Sequence, residues 1–385
     1  MRGARLGSFF NMKGASIMVG LYIHIPFCVR KCEYCDFVSY PGRESEHEAY
    51  IDAVCREMRG YGGEKVGTVF IGGGTPSVLE PKLISRLCDN IKSSFCVEPG
   101  AEFTMELNPG TVTEEKLDAM LEGGVNRASV GVQSFNNDEL RAAGRIHDAA
   151  AAVKTVDMLK DGGMENISID LMQSLPMQTA ESFNSSLKTA VSLPIKHISV
   201  YSLILEEGTP MRSKYESGVY REPDEDEERE LYRFTGRFLA EHGFERYEIS
   251  NYALPGFESK HNTMYWDRGE YIGLGAAAHS YYGGRRYCNT CALGEYIEGN
   301  MRAGGGEKLT DDDRMSEFMM LGLRKTKGVS VSDFKERFGR NFFEVYGAIA
   351  GKFSKLGLLD LSDGRCRLTE RGIDVSNTVM CEFII

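Results

Sequence analysis

Cys28, Cys32 and Cys35 form one C-x3-C-x2-C loop directly behind a short apolar run, residues 21–25. Three soft thiolates at this spacing are ligands for zinc or for an iron–sulfur cluster. A cubane takes one thiolate per iron and normally has four, yet no fourth cysteine follows within the next nineteen residues. Three ligands leave one iron open, and an open metal position is where a substrate or cofactor coordinates. A structural zinc site wants four protein ligands, usually as two C-x2–4-C pairs, and one such pair (Cys288 and Cys291) lies elsewhere. The spacing therefore favours an open cluster over structural zinc or chance clustering.

Other polar residues could serve such a centre. Gly72, Gly73 and Gly74, followed by Thr75 and Pro76, have no side chains to obstruct a ligand approaching the backbone. The same run also suits a tight strand-to-helix turn. Glu106 and Asp170 could accept hydrogen bonds from an ammonium group or ribose hydroxyls. Gln133 and Arg145 could hold polar groups, and Arg145 could pair with a carboxylate. Each alone is also an ordinary strand-end residue, so the argument rests on their shared position.

The elements that must position them alternate. Apolar strand candidates cover 21–25, 66–71, 101–107, 127–132, 166–172 and 197–203. Amphipathic helical stretches lie between them at 46–59, 80–93, 113–122, 137–143 with 148–161, and 180–192. Strands alternating with helices imply parallel pairing through right-handed crossovers. Six units predict an α/β fold, an open, incomplete (β/α)6 TIM-type barrel, with a doubly wound sheet as the alternative. The polar residues favour the barrel. His24 and the cysteine loop, the glycine run, Glu106, Gln133, Asp170 and Tyr201 all fall toward C-terminal strand ends, the rim where barrels build active sites.

The bulk properties narrow the class. The chain has 385 residues, 42% apolar, enough for one large domain and a smaller one. A net charge of −11 argues against a broad nucleic-acid-binding face, and no apolar run nears the roughly 20 residues of a bilayer span. Residues 1–20 read as a tail, not a signal peptide, since Arg2 and Arg5 are followed only by broken apolar stretches. Ten cysteines without an extracellular framework point to the reducing cytoplasm. The acidic run 223–230 reads as the N-terminus of a helix over 224–242, where the macrodipole favours carboxylates. A strand follows at 245–250. The expected domains are a barrel over 21–250, a Gly- and Tyr-rich β/loop extension over 251–306, and a small, mainly helical or winged-helix-like domain over 307–385, with helices at 312–323, 331–338 and 342–356.

With these residues in view, the chain resembles a known family. Tyr22-Ile-His-Ile-Pro-Phe-Cys28-x3-Cys32-x-Tyr34-Cys35 is similar to the loop of the radical S-adenosylmethionine (radical SAM) enzymes, specifically the oxygen-independent coproporphyrinogen III oxidase superfamily. Gly72 to Pro76, Glu106-x-Asn108-Pro109, Gly131-Val-Gln133-Ser-Phe135, Gly144-Arg145-x-His147, Asp170-x4-Leu175-Pro176-x-Gln178, Tyr247 to Asn251 and His261-Asn262-x2-Tyr265-Trp266 extend the match over nearly everything beyond residue 20. The resemblance implies a [4Fe–4S] cluster on Cys28, Cys32 and Cys35, its open iron chelated by the amino and carboxylate groups of SAM. An electron donor would reduce the cluster, which cleaves the sulfonium to methionine and a 5′-deoxyadenosyl radical. By position, Tyr22, Tyr34, Gly73, Gly74, Thr75, Glu106, Gln133, Arg145 and Asp170 would line the cofactor pocket, some of them facing a second SAM.

Two branches share this core. The oxidase branch converts two propionates of coproporphyrinogen III to vinyl groups. It carries an additional cysteine two positions after the third, where this chain has Phe37, and a longer N-terminal arm than the 20 residues here. Both departures match the branch of heme chaperones, which bind heme and pass it to heme-accepting proteins. The expectation is a heme chaperone with a cluster and exchangeable SAM. The alternatives are a true oxidase and, in a different class, a ferredoxin-like carrier, against which the missing fourth ligand argues. His261 is the candidate heme contact, although its motif also fits a structural turn histidine beside a core Trp; His279 is a second candidate. The chain departs from the family pattern at Ser174, Ala276 and Ala277, where glycine or proline is usual. Cys288 and Cys291 read as incidental.

Overall fold

The structure, a computed structural model, describes residues 18–222 and 224–385. Residues 1–17, most of the segment read as a tail, and Pro223 at the head of the acidic run lie outside the described residues.

Six strands pair in parallel and in chain order: β1 (Val19–Ile25), β2 (Lys65–Gly73), β3 (Cys96–Leu107), β4 (Arg127–Gln133), β5 (Asn166–Gln173) and β6 (His197–Ser202). Between them run α1 (His47–Met58), α2 (Pro81–Ser94), α3 (Glu114–Glu122), α4 (Asn137–Ala142) with α5 (Ala149–Asp161), and α6 (Ala180–Ser192). A doubly wound sheet would reverse its strand order at a switch point. This one never does, so the winding is that of a barrel. The barrel stays open, because the free edges of β1 and β6 take other partners.

Alternation explains the packing. Leu21, Ile23, Ile25, Val69, Ile71, Phe103, Met105, Val130, Ile167, Ile169 and Ile198 lie on one face and join the main core with the helices. The opposite face, one residue out of phase, carries Tyr22 and His24, Thr68, Glu102, Thr104 and Glu106, Arg127 and Ser129, Ser168 and Asp170, and Ser199 and Tyr201, in register across the strands. The apolar face holds the fold together. The polar face lines the concave side.

Residues 251–306 do not stand apart from this sheet. β7 (Asn251–Ala253) pairs antiparallel with β6, while β8 (Tyr271–Leu274) pairs parallel with β1. β9 (His279–Tyr282) and β10 (Arg285–Cys288) continue outward, and the short strands Glu307–Lys308 beyond β10 and Glu245–Arg246 beyond β7 complete a sheet of twelve. The strand expected at 245–250 shortens to Glu245–Arg246. The chain turns there over Glu248, fully buried, whose carboxylate accepts from Ser250 N at 2.9 Å and Asn251 Nδ2 at 2.5 Å.

Helix starts follow the capping residues. Thr113, Asn136, Asp148 and Thr179 each accept a backbone N–H from the first turn behind them. After α7 (Pro210–Glu216), Asp224 caps α8 (Glu225–Glu241), whose first turn holds Glu225, Asp226, Glu227 and Glu228, as the acidic run implied. α9 (Lys260–Trp266) is seated against the polar face of the sheet. Buried Glu102 accepts Lys260 N at 2.8 Å and His261 N at 3.0 Å at its start, and a Cβ on Gly20 would lie 2.1 Å from Met264 Cε.

The C-terminal region has its own core, built on Phe318, Phe334, Phe342, Tyr346 and Phe383. α10 (Leu293–Glu298) precedes it. α11 (Asp311–Gly322), α12 (Val331–Phe338) and α13 (Phe342–Lys355) pack with a small antiparallel sheet of Val329–Ser330, Leu359–Asp360 and Arg365–Leu368. Helix–strand–helix–helix–strand–strand is a winged-helix order. It is fastened to the barrel by Arg324 on Glu248 at 3.3 Å and by Ile249 N on Arg324 O at 3.1 Å.

Candidate functional site

The cysteine loop leaves the rim of β1 and is tied at both ends. Gly74 N donates to Ile25 O at 2.9 Å and Thr75 N to Phe27 O at 2.7 Å, joining it to the glycine run. His24 Nε2 lies 2.9 Å from Val38 O, to which it must donate, so its Nδ1 accepts from the Tyr22 hydroxyl at 2.9 Å. Burial lowers the His24 pKa, which keeps this relay neutral. In the middle, Glu33 N donates to Ala143 O at 3.1 Å and Lys214 pairs with the Glu33 carboxylate at 2.8 Å. Tyr34 packs with Ala143, Met172 and Leu175.

Burial, opposed by hydrogen bonds from Thr75 and Ser39 at Cys28 and from the Phe37 backbone at Cys35, pushes both thiols upward. Among the described residues, no three His, Cys, Asp or Glu side chains converge tightly enough for a single metal ion. A mononuclear zinc site would need that; a cluster, with one thiolate per iron, does not.

Arg145 joins the loop to the barrel. Its Nη1 donates to Cys32 Sγ at 3.3 Å and its Nη2 to Asn108 Oδ1 at 2.6 Å and to Gly131 O, while its buried Nε has no partner. Thr75 Oγ1 stands 3.4 Å from Cys28 Sγ and accepts from Asn108 Nδ2 at 2.7 Å. Gln133 joins them through a β-bulge at φ +69°, which re-aims its side chain. A Cβ on Gly131 would lie 3.0 Å from Asn108 Oδ1, 3.1 Å from Gln133 Nε2 and 3.4 Å from Arg145 Nη2. Polar groups thus converge over a floor without side chains.

Glu106 closes the other side, accepting Gly73 N at 2.9 Å. Burial foremost, and Asp170 beside it, lift the Glu106 carboxyl to about 7. Burial also raises Asp170, against the hydrogen bond from Ser199 and the charge of Arg127. The site residues expected from sequence leave out Arg127, a buried cation whose charge acts on both acids, and Asn108, quoted there only within a motif, the residue that Thr75 and Arg145 share. The i, i+2 spacing of Glu106 and Asn108 on one strand face was the available signal for the latter.

A radical SAM superfamily profile matches residues 22–190 and a HemN C-terminal domain profile matches 309–375. Heme chaperone HemW of Lactococcus lactis is 38% identical over 94% of this chain and 97% of its own length. Heme chaperone HemW of Bacillus subtilis is 37% identical over 95% and 99%. The chain belongs to the HemW family. Coproporphyrinogen III oxidase (HemN) from Escherichia coli, a radical SAM enzyme, superposes with a TM-score of 0.84 over 96% of this chain and 90% of that one, at 24% identity. That likeness carries the fold.

Membership of the radical SAM superfamily brings a [4Fe–4S] cluster and SAM, and the residues present fit both. The donor set is three free, partly exposed thiols in one loop. The glycine cradle has no room for side chains: a Cβ on Gly74 would lie 2.7 Å from Phe27 O and one on Gly73 2.4 Å from the His24 ring. The buried Arg145 Nε has no partner, and Arg145 lines a small pocket together with Cys32, Thr75 and Asn108.

His261, the candidate heme contact of the sequence, is engaged within the fold. His261 is 1% exposed, its Nδ1 2.8 Å from Thr68 Oγ1 and its Nε2 2.9 Å from the Tyr265 hydroxyl, so both ring nitrogens are engaged. Burial first, then Arg127, holds its pKa down to about 3. His279 is placed differently. It is exposed at the edge of a cavity of about 550 Å³ between the cysteine loop, α9, β9 and α11. Phe37, the residue where the oxidase branch has its additional cysteine, lines that cavity and is 69% exposed. Two departures from the family pattern, Ser174 and Ala277, sit at φ +63° and +61°, where glycine is favoured. No described helix is long and apolar enough to cross a membrane.

Proposed function

We propose that this chain is a heme chaperone: it binds heme and delivers it to acceptor proteins, with a [4Fe–4S] cluster on Cys28, Cys32 and Cys35 and exchangeable SAM beside it. The observation that carries this is near full-length likeness to HemW chaperones at 37–38% identity. Phe37 in place of a further cysteine, beside an aromatic cavity, supports it.

When bound, the cluster and SAM supply one-electron chemistry. The chain's own residues hold and orient. Arg145 braces the loop against the barrel, its guanidinium 3.3 Å from the Cys32 sulfur. Gly73 and Gly74 let a ligand reach the backbone. Glu106 retains a proton near neutrality, and an ammonium group arriving beside it would draw that proton off. Tyr22 and Tyr34 wall the pocket, with Thr75, Gln133 and Asp170 as its polar contacts.

An electron donor and heme-accepting proteins are the partners this reading requires. A cytoplasmic setting belongs to it too, supported by ten cysteines that are all unbridged. The test is anaerobic reconstitution followed by heme titration and transfer to a heme-free acceptor. Stoichiometric binding and transfer are expected. Loss of two carboxyl groups from added coproporphyrinogen III at catalytic turnover, read by mass spectrometry, would make it an oxidase instead.

A further inference from the structure

We propose that heme is seated in the cavity beside the cysteine loop, with His279 as its axial ligand and Arg286 as the partner of a propionate. The proposal rests on heme being the cargo.

The cavity of about 550 Å³ lies within the roughly 300–1,000 Å³ of small-molecule pockets. Phe37 and Trp266 contribute aromatic surface to its lining, the kind that packs on a flat macrocycle. His279 offers the nitrogen. It lines the cavity, is exposed, and its ring makes no hydrogen bond among the described residues, in contrast to His24 and His261, whose ring nitrogens are all engaged. A histidine with an unspent nitrogen beside an aromatic cavity is what a heme iron needs.

The charges suit a dicarboxylate. Arg268 and Arg286 line the cavity and share one carboxylate, Glu317, at 2.9 and 2.7 Å. Two guanidiniums on one acid leave a positive excess there. Asp36, the acidic member of the lining, belongs to the cysteine loop. Arg268 is fixed, 8% exposed and bonded also to the Tyr281 hydroxyl at 2.7 Å. Arg286 is 40% exposed with Glu317 as its ion-pair partner. Arg286 can therefore turn from Glu317, which Arg268 still holds, toward a propionate. Heme in this seat would lie against the cysteine loop through Phe37, so cargo and cluster would share a wall.

The test titrates the anaerobically reconstituted full chain with ferric heme and, in parallel, with metal-free protoporphyrin IX, following absorption and electron paramagnetic resonance. His279→Ala should lose the histidine-ligated heme signature and raise the heme Kd at least tenfold, while leaving protoporphyrin binding unchanged. Added imidazole should restore the signature. Arg286→Ala should weaken both porphyrins several-fold and leave the axial signature intact. Iron content of the cluster should match the wild type in both variants, showing that they fold. If wild-type protein binds heme and His279→Ala matches it in spectrum and affinity, the seat is overturned while the delivery function stands. If wild-type protein binds no heme at all, the delivery function fails, and the seat with it.

Discussion

Replacing Gly73 by alanine would test whether the cofactor cradle is set by shape. The backbone there has φ +110°, and a Cβ would lie 2.4 Å from both Cε1 and Nδ1 of His24. The conformation alone costs a non-glycine residue roughly 1–2 kcal/mol. The clash adds to it, because the imidazole cannot swing aside without breaking its bonds to Tyr22 and Val38, each 2.9 Å long. Overpacking of this kind costs about 1–3 kcal/mol. Gly73→Ala should therefore destabilise the protein by about 2–5 kcal/mol. Gly100→Ala is the control: its φ is +79° with nothing within 4 Å of a Cβ, so only the conformational part applies. Urea unfolding of both variants measures the difference. Displacing His24 also frees the Val38 end of the cysteine loop, so Gly73→Ala should reconstitute with less iron and sulfide than Gly100→Ala. Equal stabilities and equal iron contents would refute the reasoning.

Four further outcomes are expected. The Glu106 carboxyl, raised from 4.5 to about 7 mainly by burial, keeps its proton in the folded chain over a range where the unfolded chain has lost it. Stability of the cofactor-free protein should thus fall by up to about 3 kcal/mol as pH rises from about 4.5 to 7, and Glu106→Gln should flatten that slope in chemical denaturation. Arg145→Lys keeps the charge but loses the fork that reaches Cys32, Asn108 and Gly131 at once; SAM affinity measured by calorimetry should drop about tenfold, a loss of about 1.4 kcal/mol. Cys28→Ala should yield protein without a stable [4Fe–4S] spectrum, and full cluster occupancy would defeat the ligand assignment. Ala277→Gly, at φ +61°, should raise thermal stability by the equivalent of about 0.5–1 kcal/mol; no change would mean the neighbouring structure already relaxes the strain.

Much of the architecture could be read from residue order. Each of the six strands lies within a few residues of where its apolar alternation put it, and α6 and α12 coincide with their predicted ranges. Local signals suffice there, because period and capping residues are properties of a few neighbouring positions. The segment 245–306 was harder. Its strands are short and their partners distant: β8 joins β1, some 250 residues earlier, and no local pattern names that partner.

By itself, the sequence determined the chemistry on offer: three thiolates in one loop, a side-chain-free glycine run, and polar residues at the ends of six strands. Tertiary structure decided which of these meet. Arg145 reaches Cys32 across 113 positions, and Glu102 takes the start of α9 across 158. It also separated two histidines that sequence could not tell apart. Alternation says which face a side chain takes but not what stands opposite, and opposite His261 stand Thr68 and Tyr265, while beside His279 lies open space.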